Sequence, residues 1–488
     1  MRVWVALVLV GCGGSKEAPP TVAPPSSRPS PIEVEPPSSL PLATPDFPEG
    51  TRSLELLRTV GVRLEPGDGA KRIGTVAVDT RVAWARTQPA KGCKAPWVEI
   101  RPRGWICGDY VKASKKAPYG REVPFLERGE LVPGVYGKVT APNSVTYVME
   151  KPKKEAKKDP RKKPAGPVTS TKDVADKPLP KLIEGKPIVG SVNVRQYDEL
   201  VVEGKSYWKI SQKEPEYVLV QSISKHRPSV YGGSRLGDDV GWGVPLAFVW
   251  PRVYGWQQAG TTYKAIGGGQ VRMVPARTPV PILETHADKN GKPISYRIGE
   301  AEWIAAVDVR VFQAAPPPAL LQPNERWIDL DLESQILVAF EGDVAVYSTL
   351  VSSGGKETPT LPGIYRMWLK ESEADMKGLN GEDPYSVATV PWTQFFSSEN
   401  DLALHTAYWH DQFGTKRSHG CLNLAPRDAR WLYFWSDPQV PPGWTMAAGV
   451  VEAPGSIVRV RTRDEANPPL REYAVKVHEA RLQNAPVR

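Results

Sequence analysis

Short apolar runs of four to six residues, each closed by turn formers, constrain this chain more than any other feature. Thr75-Val76-Ala77-Val78 and Trp97-Val98-Glu99-Ile100 are of this kind, and runs of that length at close intervals read as strands of a small barrel or sandwich. Trp327-Ile328-Asp329-Leu330-Asp331-Leu332 and Gln335-Ile336-Leu337-Val338-Ala339-Phe340 also have strand length, and Glu341-Gly342-Asp343 is a turn leading into 345–351,. One stretch carries a convincing helical signature: Pro426 in the first helical position, with apolar residues following across 429–435,. The expectation is a mainly β chain with a short helix late in the sequence.

At 488 residues the chain is too long for one ordinary domain,. Its 50 prolines point to extended spacers between several cores,. The stretch 13–50 is rich in proline and serine without apolar periodicity and reads as a disordered tether. The run Pro316-Pro317-Pro318 cannot pair in a central strand, so 313–323 closes the first part of the chain,. The net charge of +9 is concentrated: 151–164 alone carries eight basic residues against Glu155 and Asp159. Such a run reads first as a solvated loop, with contact to an anionic wall polymer or lipid surface as the functional alternative. Nucleic acid is a poor partner, because no basic face is interleaved with stacking aromatics.

Arg2 precedes the apolar run 3–10, which is far too short to span a bilayer,. Leu9-Val10-Gly11-Cys12 resembles the lipobox of bacterial lipoproteins, which implies a signal peptide over 1–12, lipidation of Cys12 and attachment to a membrane. Gly13 and Gly14, rather than an aspartate, follow the cysteine, and by the same resemblance this implies export to the periplasmic face of a Gram-negative outer membrane; an ordinary signal peptide and a chance apolar start are the alternatives. In an oxidising compartment Cys93 and Cys107 form a disulfide by default, worth about 3 kcal/mol in the chain-entropy model. Cys421 is then left without a partner, and an unpaired thiol in an exported protein is either buried or reactive.

Trp105-Ile106 with Val111 six positions after the Trp recurs as Trp303-Ile304 with Val309, and Trp97-Val98-Glu99-Ile100 has a looser echo in Trp208-Lys209-Ile210. Tryptophan followed by a glycine-bounded strand pair resembles bacterial SH3-like modules, which implies small β-barrels at 51–116, 130–225 (with 151–183 looping out) and 262–314.

Three of the six histidines, His405, His410 and His419, fall within fifteen positions that end two residues before Cys421. A cysteine beside a histidine is the minimum for nucleophilic acyl transfer, since imidazole stabilises the attacking thiolate. Ser418-His419-Gly420-Cys421-Leu422-Asn423, with His405 16 positions before Cys421, resembles the motif of L,D-transpeptidases with a YkuD-type catalytic domain. The likeness extends across 324–450 through Val351-Ser352-Ser353-Gly354, Thr358-Pro359-Thr360, Gly363-Ile364-Tyr365 and Val390-Pro391-Trp392, leaving 451–488 as a C-terminal extension. It implies a YkuD-type β-sandwich with Cys421 as nucleophile, His405 as base, the carbonyl of Thr406 orienting that base, His419 shaping the donor site, and backbone N–H groups around Gly420 and Cys421 holding the oxyanion. Trp409-His410 supplies a rival base. Ser418, Asn423, Trp409, His410 and Trp392 are candidate substrate contacts, with core packing the alternative for each Trp.

The resemblance implies a peptidoglycan stem tetrapeptide as donor, loss of D-alanine, a thioester on Cys421, and transfer to an amine, without nucleotide or metal. Water as acceptor gives a carboxypeptidase. Two other classes stay open at this point: a zinc hydrolase ligated by His405, His410, His419 and Cys421, and a catalytically inert wall-binding scaffold.

Overall fold

The computed structural model describes residues 47–150, 181–250, 259–265, 267–378 and 384–483. The signal peptide with Cys12, the tether as far as residue 46 and nearly all of the lysine-rich insertion lie outside these residues. Within them the chain is mostly β, with two α-helices, Pro426–Trp435 and Tyr473–Gln483, and 46–488 is one compact unit.

The run Ile336-Leu337-Val338-Ala339-Phe340 shows how the layers form. Antiparallel sheets with one wet face alternate apolar and polar residues, whereas an unbroken apolar strand needs cover on both faces. Ile336–Glu341 lies inside a six-stranded sheet, paired with Arg326–Asp331 on one side and Val344–Leu350 on the other. Leu337 and Ala339 point into a core shared with Ile328, Leu330, Trp392, Leu402, Leu404 and Leu422. Ile336, Val338 and Phe340 point the opposite way, into a second core with Leu246, Phe248 and Phe312. The part of the chain from Arg326 onward is thus a sandwich with a further layer behind it. Ile457–Arg461 runs parallel to Arg326–Asp331 and antiparallel to Gly363–Arg366, so this sheet extends beyond residue 450 into the expected C-terminal extension.

The three accessory β units share one closure. In each, the first and last strands pair antiparallel: Ser53–Leu56 with Val111–Ser114, Val135–Val139 with Ile223–Lys225, and Leu246–Val249 with Val309–Phe312. In each, a 3₁₀ turn leads into the last strand, at Gly108–Tyr110, Val220–Ser222 and Ala306–Asp308. The third unit therefore opens at Leu246, ahead of the expected residue 262. Cys93 and Cys107 are joined in a disulfide in the first unit.

These units are welded to the sandwich. Its second sheet continues into Ser191–Gln196 of the second unit, parallel to Tyr385–Ser397, and into Arg72–Val76 of the first, antiparallel to Trp444–Ala448. Both edges of the sandwich's second sheet are covered, which removes unpaired backbone that could template aggregation. The polyproline stretch is pinned as well. The buried Asp329 carboxylate is shared by Arg459 and Arg461, whose remaining N–H groups donate to the carbonyls of Pro316, Ala315 and Gln313.

At the first weld, a Cβ on Gly74 would stand 2.0 Å from Cζ3 of the buried Trp444. Gly74→Ala is expected to cost about 1–3 kcal/mol through overpacking, read as a drop of several degrees in the melting midpoint that a smaller residue at Trp444 partly reverses. An unchanged midpoint would contradict the close approach.

Candidate active site

The site rests on two short parallel strands. Leu402–Thr406 pairs with Leu422–Leu424 in the register Leu404↔Leu422 and His405↔Asn423. Continued by one residue, that register sets Cys421 opposite Ala403. Alternate residues of a strand share a face, so His405, two beyond Ala403, is the diagonal neighbour of Cys421 on one side of the sheet, at a separation long side chains reach across. Leu402, Leu404 and Leu422 point to the core and hold the strands down. Both groups line one cavity of about 830 Å³.

His405 is buried, and its Nδ1 lies 3.0 Å from the carbonyl oxygen of Thr406. A carbonyl only accepts, so Nδ1 carries the proton and Nε2 presents its lone pair. Burial lowers the pKa of His405 to about 4, opposed only in part by the Thr406 carbonyl. Cys421 shifts the other way: desolvation raises its thiol to about 11, reinforced by Asp401 and opposed by the Ala403 N–H. Its S–H donates to the carbonyl of Asp401 at 3.5 Å. The resting pair is a neutral thiol beside a neutral imidazole.

His410 is occupied on both nitrogens. Nδ1 accepts from the Gln412 N–H at 3.1 Å, so Nε2 holds the proton; the Asn423 amide nitrogen is placed 3.0 Å from it, and a hydrogen bond between them requires the amide turned so that its oxygen accepts. It positions Asn423 and is poorly placed to act as the rival base. His419 is exposed and stacks on Tyr385, with centroids 4.5 Å apart, at the rim of the cavity. The ligand atoms of His405, His410, His419 and Cys421 do not converge into a metal-binding cluster among the described residues.

The turn carrying Cys421 is clamped from both sides. Gly420 sits at a φ of +120°, open to glycine and strained for any L side chain,. Its N–H donates to Ser418 Oγ at 3.1 Å, and that hydroxyl in turn donates to the Cys421 carbonyl. Thr360 Oγ1 donates to the Gly420 carbonyl at 2.6 Å, while Arg417 and Ser418 donate their N–H groups to Ser353. Ser352 exchanges backbone bonds with Asn423. The Ser-Ser-Gly and Thr-Pro-Thr segments thus brace the turn at Gly420 and Cys421.

Residues 325–460 match the model of the L,D-transpeptidase catalytic domain, YkuD. This stretch is a YkuD domain. Among solved structures, the chain is similar to an L,D-transpeptidase of Enterococcus faecium, at 25% identity over 28% of this chain and 50% of that one, with a TM-score of 0.23. It is also similar to the catalytic domain of the E. faecium enzyme, at 27% identity over 28% of this chain and 98% of that one, TM-score 0.22. L,D-transpeptidase 3 from Mycobacterium tuberculosis in complex with a faropenem-derived adduct matches at 20% identity, over 33% and 72% of the two chains, TM-score 0.23. The chain spans about half the length of the first of these structures. No curated protein matches it.

The remaining sequence candidates divide. Trp409 is half-buried and lines the YkuD cavity with Ser418 and Asn423. Trp392 does not: it is fully buried in the core with Phe396, Leu402 and Leu404, so its ring supports the site from below and is no substrate contact. The pattern did not reveal Tyr385, Lys138, Asn193 and His226, which line the same cavity, because only the strand pairing brings them there.

Iodoacetamide consumes thiolate, and a thiol of pKa about 11 gains it tenfold per pH unit. Alkylation of Cys421 is therefore expected to accelerate about a thousandfold from pH 6 to 9 without levelling. A plateau near pH 7 would show a resting thiolate–imidazolium pair instead.

Proposed function

We propose that the chain is a peptidoglycan L,D-transpeptidase. The observation that carries this is Cys421 beside His405 on paired strands of a YkuD domain, with Nδ1 committed to Thr406 and Nε2 left to take a proton.

Because the pair rests neutral, the thiol proton leaves as the carbon–sulfur bond forms. Cys421 Sγ attacks the carbonyl on the L-centre of the donor's diamino acid while Nε2 of His405 takes the proton. The Gly420 N–H is already directed at Ser418, so the donor for the developing oxyanion falls to the Cys421 N–H,. Collapse breaks the bond to the terminal D-alanine, whose amine takes the proton back from His405, and a thioester remains. An amine then attacks the thioester and gives its proton to His405. The thiolate leaves and recovers that proton. A second stem peptide as acceptor gives a 3-3 crosslink, and a protein lysine or a free D-amino acid are further acceptors.

The three accessory units are read as SH3-like modules, supported by their common closing strands and 3₁₀ corners. The lipobox-like segment supports export and anchoring through Cys12 at the periplasmic face of the outer membrane. Labelled palmitate is expected in the wild type and absent from Cys12→Ala; equal labelling would remove the anchor.

Sacculi incubated with the protein and analysed by mass spectrometry are expected to gain 3-3 dimers or exchanged D-amino acids. Cys421→Ala and His405→Gln should each reduce product at least about a hundredfold, while His410→Gln keeps most of it. Tripeptide release alone would assign a carboxypeptidase, and unchanged sacculi an inert scaffold.

A further inference from the structure

The cavity at Cys421 has two owners. One wall is the YkuD turn and its neighbours; the other is the second accessory unit, through Lys138, Val189, Gly190, Ser191, Asn193 and His226. Backbone pairing fixes this wall in place. Ser191–Gln196 runs parallel to the strand that carries Tyr385, in the register Ser191↔Tyr385 and Asn193↔Val387. Across its other edge Asn193 pairs with Lys138, which in turn pairs with Ser224. Residues directly opposite each other share a face, so Lys138 and Asn193 reach the cavity side by side. His226, just past the third strand, is tied to Asn193 Oδ1 through Nε2 at 2.7 Å, and its ring lies 5.6 Å from that of Tyr408.

These residues have different freedoms. Asn193 is buried and committed to His226, and the N–H of His226 is held by the Tyr136 carbonyl. Lys138 is exposed to the cavity and makes no ion pair among the described residues. The described lining holds two fixed cations, Lys138 and Arg417, on opposite walls, and no carboxylate. Arg417 is held in place by the neutral Gln412 side chain, so neither cation meets a carboxylate in the described lining, and Lys138 is the one that the accessory wall contributes. A peptide in this cavity gains most by placing a carboxylate there.

We propose that Lys138 anchors a carboxylate of the peptide substrate, making the second accessory unit part of the substrate-binding site. This rests on the stem-peptide reading above and adds the residue that recognises its charge. Lys138 is a specificity residue, carried by the accessory wall and not by the paired strands that hold Cys421 and His405.

Binding can be measured without turnover, which separates the two readings. A synthetic stem tetrapeptide ending in D-alanine is titrated calorimetrically into full-length Cys421→Ala protein, with Lys138 intact or replaced. Lys138→Met is expected to weaken binding about fivefold, and Lys138→Arg to restore it. Peptides amidated at one carboxylate at a time identify the partner: one form should bind the Lys138 protein as weakly as the Lys138→Met variant binds the free acid, and should be indifferent to that substitution. Equal binding by the Lys138 and Lys138→Met proteins overturns the proposal, as does a Lys138→Met loss that persists when every carboxylate is amidated, or no binding of the tetrapeptide at all. Lys138-dependent binding together with inert wild type on sacculi would retire the transferase reading and leave the anchor standing.

Discussion

Two parallel backbone strands decide how the candidate site is arranged. Leu402–Thr406 and Leu422–Leu424 are separated by a connection that carries His410, Gln412 and Arg417, yet their register brings His405 and Cys421, the proposed base and nucleophile, to neighbouring positions on one face. A one-residue slip would turn either side chain into the core. The leucines on the opposite face prevent it, because slipping would put them in the cavity. Packing on one side of the sheet is thus what makes the geometry on the other side reproducible.

Burial then sets the protonation states. Desolvation disfavours both charged forms, lowering His405 and raising Cys421,. A thiol held neutral is protected from casual oxidation, since reactivity follows the thiolate. In the proposed mechanism, substrate brings about its own activation, by offering a carbonyl whose addition product the turn can hold. The bracing of Gly420 by Ser418 and Thr360 keeps that turn from relaxing when it does.

Much of this was legible in sequence, for identifiable reasons. The spacing of His405, His419 and Cys421, the Pro426 helix start and the strand-length apolar runs are local patterns, and local patterns survive in one dimension. Trp105-Ile106 with Val111 and Trp303-Ile304 with Val309 mark strand, 3₁₀ turn and closing strand in the first and third units; the second uses Tyr217-Val218 with Ile223, where a tyrosine in place of tryptophan hid the match. Trp392 looked equally suited to groove or core, because an indole's size says nothing about the face its strand presents. The unbroken apolar run 336–340 did carry a clue to a third layer, since one wet face would have imposed alternation. Least visible was the pairing of Ser191–Gln196 with Tyr385–Ser397. Strands this far apart meet in a register that no periodicity encodes, and the accessory wall of the cavity depends on it.

The seam between Arg72–Val76 and Trp444–Ala448 also orders events in time. Thr75 and its bonding partner Thr445 are 370 positions apart. A chain emerging from its N-terminus forms the first β unit early, with one sheet edge left open until nearly the whole polypeptide exists. Contacts of such separation are slow to form, and open edges invite mispairing meanwhile. A lesion near the C-terminus, in a segment remote from the thiol, would therefore damage the first unit as much as the last, and the molecule matures as one object rather than bead by bead.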